Sequence, residues 1–454
     1  MMMRQRMPAT SGDRREIFGW VMYDWANSAF QTTVITVLIG PYLTALAQQA
    51  VGENGVVVAL GPLGVVTAKS LFPYCIAVSV FLQIFLLPLL GGAADYTQLK
   101  KPLMMAFCYA GVTASCLLFF LDVNNYIFGG ALLVVANLCF GATIVLYNAF
   151  LNEVAPEHLR NAVSSRGYAL GYLGGGLLLA CNLALILGGG AIGVTRDLAV
   201  RLSLLSAGIW WGAFATVTFT RLKTRASALA HRSAASPVRL ALGQLRRAIA
   251  ELARLPQTLR YLIAYMLFND GIQTVISIAS VFLAQELFVA KGLTADESFL
   301  IGLILMVQFV AFAGALLFER IARAVNTKNA ILLSLILWTG IVIYAYAFLE
   351  TTTQAWAMGA MIAVVLGGSQ ALSRSLFSRM IPPGREASFF GLYEISERGT
   401  SWIGPLIFGF VVGATNSYRQ AILSLIALFL AGIVVLASTD TNRAIRDASA
   451  DNVA

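Results

Sequence analysis

The chain has 454 residues, 58% of them hydrophobic and only 12% charged, with a mean hydropathy of +0.77; soluble domains carry roughly 25% charged residues, so a soluble globular protein is excluded. The formal net charge of +9 does not point to nucleic acid, because the basic residues lie between apolar stretches and follow a topology. Five cysteines without metal-ligand spacing, and two histidines (His158 and His231) in polar connecting loops, offer no material for a metal site, a cofactor or a histidine-based catalytic group.

Crossing about 30 Å of hydrocarbon takes about 20 residues at 1.5 Å each. Runs of that length lie near 18–47, 73–93, 102–121, 126–151, 164–187, 200–220, 260–288, 298–318, 329–349, 355–378, 388–413 and 418–438. The expected fold is therefore an all-α membrane protein of twelve transmembrane helices. The segment before the first run is basic and polar without a cleavable apolar core, and is read as a cytoplasmic tail. Of the 31 Lys and Arg, 25 fall on the N-terminal side of the membrane and five on the other, with Arg398 on neither. That asymmetry places both termini in the cytoplasm and the chain in the cell's inner membrane.

In the first run Asp24, Asn27, Ser28 and Gln31 have the spacing i, i+3, i+4, i+7, which puts them on one helical face, with Tyr23 beside them. An intramembrane carboxylate is costly and marks a functional site by default. After the second run the chain reads Gly91-Gly92-Ala93-Ala94-Asp95, followed by Lys100 and Lys101. Asp95 is expected at a seam beside Ser388, where the positive end of a helix dipole favours a carboxylate. In the fifth run Gly167, Gly171 and Gly175 recur every four residues and read as a close-packing face, with Tyr168 and Tyr172 between them.

Residues 221–259 form the longest basic connection and divide the chain into 1–220 and 260–454, six runs each, with an amphipathic helix expected over 238–255. The seventh run repeats the first: Asp270, Gln273, Thr274 and Ser277 share a face, next to Asn269. Both acids are assigned to one central cavity, facing one another, against the alternative that each accepts hydrogen bonds from a neighbouring helix. After the eighth run Glu319 and Arg320 echo Asp95 and its lysines. Arg374 and Asn148 end the tenth and fourth runs at comparable places, where an arginine would tie helix to loop or meet Asp95, Glu319 or a solute anion. In the eleventh run Glu394, Glu397, Arg398 and Ser401 form a further polar face, either a packing ion pair or a proton-coupling group. The gating residues between the halves are taken to be Gly91, Asp95, Lys100, Lys101, Glu319, Arg320 and Arg374.

Six plus six runs, a basic central loop and the Gly-x-x-x-Asp…Lys-Lys signature resemble the major facilitator superfamily. Tyr23-Asp24-Trp25-Ala26-Asn27-Ser28-Ala29-Phe30, Gly171-Tyr172-Leu173-Gly174-Gly175-Gly176, Asn269-Asp270-Gly271-Ile272-Gln273-Thr274 and Gly368-Ser369-Gln370-Ala371-Leu372-Ser373-Arg374-Ser375 are similar to its "unidentified major facilitator" branch. That branch is related to fungal vacuolar amino-acid effluxers of autophagy. The chain departs from the pattern at Gln98-Leu99, where Gly-Arg is usual, and at Glu397, where a small residue is usual. The resemblance implies two six-helix bundles and alternating-access transport of a small polar solute, an amino acid first, by a protein that is not an enzyme and works as a monomer in the lipid bilayer. Sugars or drug-like compounds, and a transporter-like receptor without flux, are the alternatives. Tyr23, Asp24, Asn27, Gln31, Tyr168, Tyr172, Asn269, Asp270, Gln273 and Gln370 are the expected cavity residues. Asp270 is the favoured proton carrier among Asp24, Asp270, Glu394 and Glu397, with Arg398 either modulating the acids of the eleventh run or binding a solute carboxylate.

Overall fold

The computed structural model describes residues 13–450 apart from 54, 60–64, 97–98, 224–236, 294–296, 399–402 and 416. The first helix, α1 (Arg14–Val51), starts at Asp13, whose carboxylate accepts the Arg15 N–H at 3.0 Å. Its middle, Phe30–Leu38, takes π geometry. A short antiparallel hairpin follows, β1 (Val56–Ala59) with β2 (Val65–Thr67). Next come α2 (Leu71–Tyr96), α3 (Lys100–Leu117), α4 (Tyr126–Val154), α5 (Arg160–Gly188) and α6 (Arg196–Arg221).

In the basic connection lies α7 (Pro237–Arg254), within a residue of the helix its apolar spacing predicts. Then follow α8 (Pro256–Leu287), opened by proline at a position where no N–H is needed, α9 (Glu297–Val325) and α10 (Thr327–Ala347). The helix α11 (Thr352–Arg379) begins with a capping box between Thr351 and Gln354. The chain closes with α12 (Glu386–Arg398), α13 (Ile403–Thr415), α14 (Tyr418–Ser438) and α15 (Thr441–Ala450).

Eleven helices among the described residues are long and apolar enough to cross a membrane. The run expected at 388–413 is described as two shorter helices, α12 and α13, on either side of residues 399–402. The first helix packs on α5 and α6, α3 packs on α4 and α6, and α2 on α4; later in the chain α9 packs on α11, α10 on α11 and α14, and α8 on α14. The early helices meet the late ones along two seams: α5 against α9 and α11, and α12 against α2 and α4.

Small residues set these distances. A Cβ on Gly91 of α2 would lie 2.2 Å from the Ala387 carbonyl oxygen, so only glycine lets α12 come this close. The loops at one end of the helices converge on α7 and α15. Glu251 of α7 pairs with Arg385 at 2.7 Å, and the Asp440 N–H, just before α15, donates to Gln257 at 2.9 Å. This end is called the linker face below.

Candidate functional site

The seam between α5 and α11 holds Arg374, 3% exposed. Its Nη2 donates to Asp24 Oδ2 at 3.1 Å and to the Ser164 carbonyl at 3.0 Å, its Nε to Ser164 Oγ at 2.9 Å, and its Nη1 to Asn148 Oδ1 at 3.4 Å. Four helices, α1, α4, α5 and α11, thus meet at one guanidinium. The planar cation also faces three rings, with centroids of Tyr168, Trp20 and Tyr147 at 4.2, 4.9 and 5.5 Å. A buried ion pair is costly unless further hydrogen bonds support it, and here Tyr147 Oη also donates to Asp24 Oδ2 at 2.8 Å. Trp20 fixes Tyr147 in turn, stacking at 4.3 Å and donating its indole N–H to the Tyr147 carbonyl at 2.9 Å.

Glycine makes room for this arrangement. A Cβ on Gly167 would lie 2.3 Å from Asp24 Oδ2 and 3.0 Å from Arg374 Nη2. The four-residue glycine spacing of α5 therefore serves close packing of α1, as its sequence suggests, and at Gly167 it also accommodates the carboxylate.

From Arg374 polar contacts continue towards α12. Asn148 donates its amide to Glu394 Oε1 at 3.1 Å, so one side chain links Arg374 to a second buried carboxylate. One turn from Arg374 towards the opposite face, Gln370 Oε1 accepts from Tyr172 Oη at 2.7 Å. The rings of Tyr168 and Tyr172 stand 6.3 Å apart on α5. Glu397 accepts from Tyr265 Oη at 3.0 Å, and its carbonyl accepts from Asn269 at 3.4 Å.

Asp270 is 2% exposed and built differently. Its Oδ2 accepts the Gly404 N–H at the start of α13, at 2.7 Å, while Oδ1 is buried without a partner among the described residues. Thr274, next on the stripe, spends its hydroxyl on the Asp270 carbonyl at 2.7 Å. Neither acid is turned outward, yet they share no partner: Asp24 is bound across the seam and Asp270 to the helix beside it.

The expected site residues differ in burial and in partners. Tyr23 is fully buried between Tyr147 and Phe219, inside the packing of α1 on α6. Gln31 is exposed whereas Asp24 and Asn27 are buried, because Gln31 lies in the π segment, where the 3.6-residue register lapses. Gln273 is half-buried and Ser277 exposed. Arg374 meets Asp24 in place of the expected Asp95 or Glu319. Glu319 is instead paired within its own helix with Arg323, and Arg320 is exposed. The side chain of Arg398 and all of Ser401 lie outside the described residues.

At the linker face Asp95 accepts the Ala387 N–H at 2.8 Å and the Ser388 N–H at 2.7 Å, one carboxylate oxygen each, at the positive end of α12. Lys100 pairs with Glu153 at 2.6 Å, and Lys101 donates to the Leu222 carbonyl at 2.7 Å. Further crossings lie nearby: Asn152 and Arg160 both donate to the Ser378 carbonyl, at 2.9 and 3.0 Å, and Ser375 donates to Asn161 at 2.7 Å.

The residues that sequence reasoning missed are Trp20, Tyr147 and Ser164. Trp20 stands one turn before Asp24 on the same face, which is a usable signal; nothing in the sequence relates the other two to Asp24.

Residues 12–449 match the family model described as "Vacuole effluxer Atg22 like". The chain belongs to the Atg22-like family. The chain is 31% identical over 420 residues to the uncharacterized MFS-type transporter YxiO of Bacillus subtilis (strain 168), covering 92% of this chain and 93% of that protein. It is 24% identical over 559 residues to autophagy-related protein 22-1 of Penicillium rubens, covering 96% and 92%. Among solved structures, the human organic anion transporter MFSD10 superposes with a TM-score of 0.67 at 14% identity, over 93% of this chain and 99% of that one. The E. coli fucose:proton symporter FucP superposes with a TM-score of 0.68 at 12% identity, over 94% and 98%. This Atg22-like chain is thus a major facilitator transporter embedded in a membrane.

Proposed function

We propose that the protein is a secondary active transporter that moves a small zwitterion, an amino acid first, by alternating access between two six-helix bundles, residues 1–220 and 260–454, joined by the linker at 221–259. The observation that carries this reading is the Asp24–Arg374 pair, a buried anion and cation contributed by opposite halves of the chain and caged by aromatic rings. A solute bearing both a carboxylate and an ammonium replaces each partner's contact with the other, so binding need not strand a buried charge. Tyr172 and Gln370, with Glu397, Asn269 and Gln273, supply neutral and anionic groups for the rest of the molecule.

Among the described residues, hydrogen bonds between the halves gather at the linker face, from Asp95 to Arg374, and the one farthest from it is Gln308 to Thr32 at 3.4 Å. That distribution supports a conformation shut at the linker face, which the excess of Lys and Arg makes cytoplasmic, and accessible from the other. Asp270, with one buried carboxylate oxygen lacking a partner, is the proton carrier in this scheme, since no base touches it among the described residues.

Counterflow in proteoliposomes tests the proposal. Vesicles loaded with an unlabelled amino-acid mixture should accumulate labelled amino acid through the protein, and a pH gradient should drive net movement. Flux confined to sugars or drug-like compounds would reassign the solute, and absence of any flux across these classes would leave a receptor without transport.

A further inference from the structure

A polar cavity of about 500 Å³ opens at the linker face, lined by neither Asp24 nor Arg374. Its walls are the corner Asn326–Asn329 that starts α10, the end of α11 at Leu376 and Arg379, and the turn from Ala437 to Thr441 leading into α15. The volume is that of a small-molecule pocket, typically about 300–1,000 Å³.

Two cations face it with donors to spare. Lys328 Nζ gives two of its three N–H groups to the Ala437 and Thr439 carbonyls, at 2.8 Å each, which fixes the ammonium in the wall and leaves one donor. Arg379 is only partly exposed, and its Nε–H is buried without an acceptor; among the described residues the guanidinium makes no ion pair. Glu157 is the acid that faces it across the seam, without reaching ion-pair distance. Among the described residues the one acid in the wall, Asp440, caps α15, accepting the Arg443 N–H at 2.9 Å. Two cations in one wall, neither in an ion pair among the described residues, repel one another, and an anion in the cavity relieves that repulsion.

We propose that this cavity is a binding site for a phosphate-bearing ligand. A phosphate monoester carries about −1.5 to −2 charges near neutral pH, which matches the two cations of the wall, whereas the diester of a phospholipid carries a single negative charge and answers one of them. The guanidinium fork meets two phosphate oxygens at once while the lysine contributes a point charge. The remaining volume takes the organic part of the molecule. Two sources share this chemistry: a phospholipid headgroup from the adjoining membrane surface and a soluble phosphate ester of the cytosol. Because the cavity is walled by α10, α11 and the turn into α15, an occupant ties the C-terminal helix to the end of the helix that carries Arg374.

The test uses the full chain in nanodiscs of phosphatidylcholine, comparing wild type with Arg379→Gln and with Asn442→Trp, a bulky side chain placed on an exposed lining residue outside the transport site. Glycerol 3-phosphate is titrated calorimetrically, and in parallel nanodiscs phosphatidylglycerol is introduced and thermal unfolding followed. Saturable glycerol-phosphate binding, weakened about tenfold or more in both variants, assigns a soluble ester. Stabilisation by phosphatidylglycerol alone, lost in both variants, assigns a headgroup. Should Arg379→Gln fail to fold, Asn442→Trp alone decides. Equal responses of wild type and the folded variants in both arms overturn the proposal, whatever the solute flux of the same preparations shows.

Discussion

Asp24 and Asp270 head the same polar pattern in their respective segments, yet the molecule uses them in opposite ways. Asp24 is held at 3.1 Å by an arginine 350 positions later in the chain, so its carboxylate joins α1 to α11. Asp270 accepts a single backbone N–H from α13, and its other oxygen has no partner among the described residues. One acid is a structural and electrostatic bridge between elements; the other, midway along α8, meets only the start of α13 among the described residues. The repeated sequence pattern therefore fixes where a carboxylate sits within its helix and not what meets it there, and the two should respond differently to neutralisation.

The largest effect is expected from Arg374→Gln. Removing one partner of a buried pair leaves Asp24 uncompensated and costs about 3–5 kcal/mol; chemical denaturation of the purified protein should show it, and a loss below about 1 kcal/mol would mean that the pair is not buried as described. Gly167→Ala comes next. Its Cβ would fall 2.3 Å from Asp24 Oδ2, and overpacking of this kind costs about 1–3 kcal/mol. The same substitution at Gly409, where a Cβ meets nothing within 4 Å, is the control and should be nearly neutral.

Much of this was legible in the sequence. The apolar runs, the polar stripe of α1 and the helix in the linker follow from periodicity alone, and a carboxylate after a small-residue helix end is readily placed against the start of another helix, as Asp95 is against Ser388. Arg374 was legible only as a polar residue near a helix end, because ion pairing between distant helices leaves no spacing to read. The displaced position of Gln31 was not legible for a different reason: nothing in Phe30–Leu38 announces π geometry, and a helical-wheel argument presumes a uniform turn. Tyr23 misled because the residue next to Asp24 is turned about 100° around the helix, into the packing between Tyr147 and Phe219.

Smaller effects sharpen the comparison. Tyr172→Phe removes the hydroxyl that Gln370 accepts at 2.7 Å, a neutral hydrogen bond worth about 0.5–1.5 kcal/mol. Its consequence should be a raised half-saturation concentration for solute with stability little changed; unchanged transport kinetics would remove Tyr172 from the solute path. Asp270→Asn should cost least in stability, about 1 kcal/mol or less, since an amide oxygen still accepts the Gly404 N–H. Accumulation driven by a pH gradient should nevertheless disappear while counterflow persists. Retained gradient-driven accumulation, with loss in Glu394→Gln instead, would move the coupling group to α12.

The most direct test of the central claim joins the two partners of the seam. In the double variant Asp24→Asn with Arg374→Gln both charges are gone, so no uncompensated ion remains and stability should recover most of what Arg374→Gln alone loses. The measurement is amino-acid counterflow by that folded double variant in proteoliposomes. The account predicts flux reduced to background, because the pair that receives the two charges of the solute is missing. Counterflow at the wild-type rate would show that the pair only holds helices together and that the solute is bound elsewhere.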